Sequence, residues 1–271
     1  MKYAICNETF GEMPLTDALT MARENGYTGW EVAPFMLNHD ARQITAGQRR
    51  EYKQTVQDAG LEIVGLHWLL AKTRGYHLTT PDRQIREDTT AYLCELARLC
   101  RDLDGSVLVL GSPGQRNFPE DQGIDSAMEN AADVLRGVVP TLRDCNVKIA
   151  LEPLGPAEGN FLNTAAQARR LQAMVGDPTI GLHLDVKAMA SEPDGILTVI
   201  RDNADWTLHF HANDPNLLGP GMGDVEFPPI SRCLRDANYD GWVSVEVFDY
   251  RVGVETIVKT SMMNMLAAEN S

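Results

Sequence analysis

Short apolar runs alternate with longer amphipathic stretches along the whole chain. The short runs predict eight strands, at residues 3–6, 29–33, 63–67, 107–110, 148–151, 180–184, 207–210 and 243–245. The longer stretches predict eight helices, at residues 15–25, 46–59, 82–103, 125–145, 165–175, 195–203, 229–237 and 254–267. Strands that alternate with helices pair in parallel through right-handed crossovers, and eight such units close a barrel. We therefore predict an α/β fold built as one (β/α)₈ barrel.

The length agrees with this prediction, because 271 residues lie within the range of a single TIM barrel. No linker or low-complexity tract divides the chain, so we predict one domain over residues 1–271. An open doubly wound sheet and a solenoid are the alternative folds. A dinucleotide-binding doubly wound sheet would need a Gly-x-Gly-x-x-Gly turn after its first strand, and residues 6–11 (CNETFG) do not provide it.

The composition argues against nucleic acids and membranes as binding partners. The formal net charge of −14 argues against a nucleic-acid partner, since such proteins neutralise phosphates with Lys and Arg. No run approaches the roughly 18 apolar residues of a membrane span, and the first residues lack an apolar signal segment, so we expect a cytoplasmic protein with no membrane partner. The five cysteines show no metal-ligand spacing and are expected to be reduced thiols.

Four polar residues close four successive apolar runs in the second half of the chain. They are Glu152, Asp185, His211 and Glu246, separated by 33, 26 and 35 residues. One strand, its crossover helix and two loops take roughly 30 residues, so each polar residue ends its own parallel strand. The carboxyl ends of barrel strands converge, and we expect these four side chains to meet in one place.

Three carboxylates and one imidazole suit a hard or borderline divalent ion, with Mn²⁺ or Mg²⁺ favoured and Co²⁺ possible. The absence of thiolates argues against a structural zinc site. A divalent cation would also relieve the repulsion between crowded carboxylates. His183 and His209 lie two residues before Asp185 and His211, on the same face of their strands. We expect them to contact and orient those ligands rather than to bind the metal themselves. His67, at the end of the third strand, either faces the substrate or packs in the core.

Several motifs are similar to those of the xylose-isomerase-like TIM-barrel superfamily, and among its members to ketose 3-epimerases of the tagatose/psicose type. Residues 152–164 (EPLGPAEGNFLNT) resemble the epimerase segment that carries the first metal-binding glutamate and a second, substrate-side glutamate. The order Glu, Asp, His, Glu matches, as do Pro-Gly-x-Gly-Asp at 220–224 and Tyr-x-Gly at 239–241. The resemblance implies that Glu158 binds substrate, that Glu152 and Glu246 are proton carriers as well as ligands, and that the protein forms a homo-oligomer.

The sequence departs from the ketose 3-epimerase pattern at two substrate contacts. The resemblance would place a His at Ala188 and an Arg at Leu217. The polar residues nearby are Lys187, Asn213, Asp214 and Asn216, and of these we expect Lys187 and Asp214 to contact a different sugar, such as an oxidised or glycosylated one. Aromatic residues near strand ends are expected either to wall the sugar pocket, Trp30 in particular, or to pack between helices; they are Trp30, Phe35, Trp68 and Phe248.

The predicted function is therefore a metal-dependent sugar isomerase or epimerase that moves a proton next to a carbonyl through an enediolate. Three alternatives stay open: a lyase or deglycosidase acting on 3-oxo-glycosides, a hydroxypyruvate isomerase-like enzyme, and a non-catalytic sugar-binding barrel. The superfamily also includes endonucleases that bind three zinc ions through many histidines. Six histidines and the negative charge argue against that activity.

Overall fold

Eight parallel strands close into a barrel in chain order in the computed structural model, which describes residues 1–271. The strands are β1 Lys2–Cys6, β2 Gly29–Val32, β3 Glu62–Leu66, β4 Val107–Leu110, β5 Lys148–Leu151, β6 Ile180–Asp185, β7 Thr207–Ala212 and β8 Trp242–Val245. Pairing of β1 with β8, in which Tyr3 lies opposite Val243, completes the ring. The predicted (β/α)₈ fold is confirmed.

The helices occupy the outer layer in the predicted positions, with one addition. They are α1 Leu15–Glu24, α2 Ala46–Asp58, α3 Arg83–Asp102, α4 Ile124–Cys145, α5 Ala165–Val175, α6 Val186–Met189, α7 Ile196–Asn203, α8 Phe227–Asp236 and α9 Val254–Glu269. The added element, α6, is a single turn directly after β6, too short to show a helical period in sequence. None of the nine helices combines the length and the apolar character that crossing a bilayer requires.

The barrel interior has an apolar floor and a polar upper part. The floor is a small cluster of Ala4, Val64, Val107 and Ala150, which come from β1, β3, β4 and β5. Strands on opposite sides of a closed barrel meet only across its lumen, so this cluster lies inside. A much larger apolar cluster packs the helices against the outer faces of the strands. The buried polar residues of the interior lie above the floor, at the carboxyl ends of the strands. Barrel enzymes have their active sites at this end.

Candidate active site and metal centre

The structure brings the four strand-end residues together at the carboxyl end of the barrel. Glu152 directly follows β5, Asp185 ends β6, His211 lies in β7, and Glu246 directly follows β8. Glu152, Asp185 and His211, together with His183, offer ligand atoms that all lie within 4.8 Å of one another. Oε2 of Glu246 lies 3.0 Å from Nδ1 of His211, which joins it to this group. All are buried.

Asp185 is fixed by the short helix that follows it. Its Oδ1 accepts the backbone N–H of Ala188 at 2.8 Å, as an N-cap does, and its Oδ2 accepts the side-chain amide of Asn213 at 2.5 Å. Oδ1 of Asn213 in turn accepts the backbone N–H of Lys187. Asn213, one of the polar residues near the expected substrate contacts, is thus fully buried and orients the Asp185 carboxylate.

Glu152 is placed by the loop after β4. A Cβ on Gly111 would overlap Oε2 of Glu152 and lie 2.6 Å from its Cδ, so the carboxylate occupies space that only glycine leaves open. Nη1 of the buried Arg116 donates to the backbone carbonyl of Glu152 at 2.6 Å. Neither residue was predicted from the sequence, because both lie in a loop whose contact with β5 depends on the barrel.

Glu246 is surrounded by donors on its other side. Its Oε1 accepts the indole N–H of Trp68 at 2.5 Å and lies 3.3 Å from Nδ1 of His67. Nε2 of His67 lies 2.9 Å from a carboxylate oxygen of Glu8. Burial by itself would lower the pKa of His67, but the charge of Glu8 and the contacts with both carboxylates raise it to about 10. His67 therefore lies behind Glu246, between two carboxylates.

Glu31 is another buried residue of the site that was not predicted from the sequence. It points into the barrel from β2, with Oε2 2.7 Å from Nε2 of His209 and Oε1 3.1 Å from Nε2 of His211. A hydrogen bond from the far nitrogen of a ligand imidazole to a carboxylate fixes its tautomer and makes it more basic. The available signal was a glutamate inside a four-residue apolar run, which a buried strand tolerates only when the charge is paired.

The charge balance of the site fits a divalent cation. Burial and the neighbouring charges of Glu246 and Asp185 raise the pKa of Glu152 to about 8, and burial with the charge of Glu246 raises the pKa of Asp185 to about 6. Both ring nitrogens of the fully buried His183 lack a hydrogen-bond partner, although Nε2 lies 3.9 Å from Glu152. The crowded carboxylates and buried imidazoles form a donor set that suits a divalent cation.

A cavity of about 250 Å³ opens above this group. Its lining residues are Trp68, Ala71, Gly111, Ser112, Pro113, Gln115, Glu152, Leu154, Glu158, Glu246 and Phe248. Glu158, which the resemblance assigned to substrate binding, is among them. Nζ of Lys187 pairs with Glu158 at 2.8 Å and lies over the ring of Phe248. The ammonium group of Lys187 thus lies at the edge of the cavity, where Glu158 neutralises its charge.

Two residues expected at the substrate lie elsewhere. Trp30 belongs to β2 with its side chain in the outer layer, where Nε1 donates to the hydroxyl of Tyr52 and the ring packs against Phe10. Oδ2 of Asp214 accepts the backbone N–H of Val225 at 3.1 Å, which closes the loop between β7 and α8. Both are buried and neither lines the cavity, because strand alternation turns Trp30 outward and the loop uses the Asp214 carboxylate itself.

Comparisons with known proteins agree with this architecture. A probable ketose 3-epimerase from Synechocystis sp. is 28% identical over 236 residues, which cover 84% of this chain and 77% of that protein. The 3-dehydro-D-guloside 4-epimerase of Escherichia coli strain K12 is 23% identical over 264 residues, which cover 94% of each chain. The structure of D-psicose 3-epimerase from Clostridium cellulolyticum H10 with D-tagatose superposes with a TM-score of 0.82 at 22% identity, covering 100% of this chain and 97% of that one, and this likeness shows the fold. A model of the family described as xylose isomerase-like TIM barrel matches residues 19–268, and the chain belongs to that family.

Proposed function

We propose that the protein is a divalent-metal-dependent sugar epimerase or isomerase that moves a proton on a carbon next to a carbonyl group. One observation carries this proposal: Glu152 and Glu246 follow two barrel strands, both lie close to His211, and both line the cavity above it. Two carboxylates at one cavity provide an acid and a base for a single substrate carbon. Relatives named as ketose and 3-dehydroglycoside epimerases support a carbonyl sugar as the substrate.

The residues of the site would divide the chemistry between them. Glu152, Asp185, His211 and Glu246 would hold the ion, which supplies stabilisation of the negative charge that develops on the sugar oxygen. One of the two cavity carboxylates removes the proton and the other returns one, a transfer worth about 10²–10⁴-fold in rate. Return to the opposite face of the same carbon gives an epimer, whereas return to the neighbouring carbon gives an isomer.

The identity of the sugar depends on the cavity rim. The side chains of Ala188 and Leu217 are apolar, so neither supplies the polar contact that the ketose 3-epimerase pattern would place there. In their neighbourhood the Lys187–Glu158 ion pair offers both a donor and an acceptor to sugar hydroxyls. We propose that this pair recognises the substrate, and that the substrate differs from a free ketohexose at the positions facing Ala188 and Leu217.

The decisive experiment is hydrogen exchange in D₂O. Protein loaded with Mn²⁺, Mg²⁺ or Co²⁺ is incubated with ketoses, aldoses and 3-oxo-glycosides, and deuterium is located by NMR. We expect deuterium at a carbon next to the carbonyl, and chelation of the metal should stop exchange. Product analysis separates epimer, isomer and eliminated aglycone. Binding of a sugar with neither exchange nor product would refute the proposal and favour a sugar-binding barrel.

A variant pair tests the proton carrier. Glu152→Gln keeps the size of the side chain and one oxygen donor, so we expect exchange to be lost while part of the metal affinity remains. Glu129→Gln, on the exposed face of α4, removes the same charge at a residue outside the cavity lining and should exchange like the wild type. Undiminished exchange by Glu152→Gln would remove Glu152 from the mechanism.

A further inference from the structure

Trp68 has an unusual backbone conformation. It follows β3 and His67, and its φ of 51° lies in the left-handed region, which bulky residues seldom adopt. Such a conformation persists only where the surroundings hold the residue firmly, and it is concentrated at functional sites. The question is which contacts of Trp68 maintain it.

Three contacts hold the indole at the cavity. Its Nε1–H donates to Oε1 of Glu246 at 2.5 Å. Its ring stacks on Phe248, with centroids 6.2 Å apart and planes 19° from parallel. Phe35 packs against the same indole, with a centroid distance of 5.8 Å and a tilt of 49°. The half-buried indole lines the cavity, and its two aromatic neighbours and the hydrogen bond fix the plane of its ring there.

The hydrogen bond from Trp68 separates the roles of the two oxygens of Glu246. Oε1 receives the indole N–H and lies near His67, whereas Oε2 lies 3.0 Å from Nδ1 of His211, on the side of the ligand group. A carboxylate held at both oxygens cannot rotate freely. The indole, which makes the shorter of the two contacts with Oε1, thereby helps to determine which oxygen faces His211 and which one faces Trp68 and His67.

We infer that Trp68 is a positioning residue, which sets the orientation of the Glu246 carboxylate and does not serve as a stacking surface for the sugar. This inference rests on the proposed function for its kinetic consequence but not for its effect on metal binding. Holding the carboxylate in one orientation raises the fraction of molecules in which ligand and proton-carrier geometry are both correct. Removing the N–H should therefore lower turnover and metal affinity while leaving sugar binding nearly unchanged.

The test uses Trp68→Phe, which keeps an aromatic ring between Phe35 and Phe248 and removes the donor. We expect kcat to fall about 10- to 100-fold, KM to stay within about 3-fold, and Mn²⁺ affinity in calorimetry to fall about 10-fold. Trp206→Phe is the matched control, because the Trp206 indole also donates, to Asn203, and lies directly before β7, at the end of that strand opposite to His211. It should change none of these values. Trp68→Met lacks the donor as well and tests the same expectation if the Phe variant folds poorly.

The results separate the alternatives. Wild-type kcat and Mn²⁺ affinity in both Trp68 variants would overturn the inference, as would a raised KM with unchanged kcat, which marks a sugar-stacking surface. If the wild type exchanges no sugar proton but the Trp68 variants still bind Mn²⁺ more weakly, the positioning role is retained and the proposed function is refuted. If the wild type exchanges normally and the Trp68 variants keep its kcat and Mn²⁺ affinity, the positioning role is refuted and the proposed function is retained.

Discussion

Substituting Gly111 by alanine gives the sharpest test of the site geometry. Gly111 directly follows β4 and lines the cavity, and its φ is not in the left-handed region, so the alanine backbone is allowed. The new methyl group would overlap Oε2 of Glu152 and lie 2.6 Å from its Cδ and 3.4 Å from its Cβ. Because the obstructing atoms are the end of a flexible side chain, the protein should fold and the carboxylate should move.

The size of the effect follows from that displacement. Carbon atoms pack at roughly 3.5–4.0 Å, so Cδ of Glu152 must retreat by about 1 Å from its present 2.6 Å separation. A misplacement of about 1 Å can cost 10²-fold in rate, and loss of the whole proton transfer costs up to about 10⁴-fold. We therefore expect kcat to fall about 10²–10⁴-fold, which corresponds to about 3–5 kcal/mol in the barrier. Thermal stability should change little, because Gly→Ala also restricts the unfolded chain.

The assay is deuterium exchange on the best panel sugar, with Mn²⁺ affinity by calorimetry and the melting temperature measured alongside. Gly114→Ala is the matched control in the same loop, since a Cβ there would meet nothing within 4 Å. It should behave as the wild type. If Gly111→Ala folds, binds Mn²⁺ and turns over normally, then Glu152 does not act from the orientation described, and the reasoning is refuted.

Two further predictions concern the charges below and within the site. Glu31→Gln keeps the shape of the side chain but removes the charge facing Nε2 of His211, so Mn²⁺ affinity should fall about 10- to 100-fold in calorimetry; an unchanged affinity would contradict the supporting role of Glu31. Folding raises the pKa of Glu152 to about 8 and that of Asp185 to about 6, so the metal-free fold is favoured while both carboxyl groups are protonated. This contribution to stability is complete below about pH 4, near the pKa values of the unfolded chain, and it is lost as the pH rises to about 8. Urea unfolding without metal should therefore show lower stability at pH 8 than at pH 5, with the difference reduced by saturating Mn²⁺; a metal-free protein more stable at pH 8 would contradict this sign.

The fold and the position of the four strand-end residues were predictable because they depend on repeated spacing. Alternating short and long apolar patterns specify strands and helices locally, and a parallel barrel then forces every strand end to one side. Asp185 and Glu246 could thus be assigned to one place without knowledge of any contact. The turn α6 could not be predicted, because it exists through a side-chain cap on Asp185 rather than through an apolar period.

Residues that act through space were harder to find. Glu31 belongs to a strand far from His211 in sequence, and their contact follows only from closure of the barrel. Trp30 could not be placed from the sequence, which left it either at the sugar pocket or packed between helices, and in the structure its indole donates to the Tyr52 hydroxyl in the helical layer. A shift of one residue along a strand reverses the side on which a side chain lies.

The amino-acid sequence by itself determined the barrel and the convergence of Glu152, Asp185, His211 and Glu246 at one end of it. These features depend on local periodicity and on the chemistry of single side chains. Only the tertiary structure decided how each carboxylate is held. That of Glu152 occupies the space that the missing side chain of Gly111 leaves open, and that of Glu246 accepts a hydrogen bond from the indole of Trp68. Such contacts join distant strands and loops, and their distances are determined by barrel closure and packing, which no local pattern encodes.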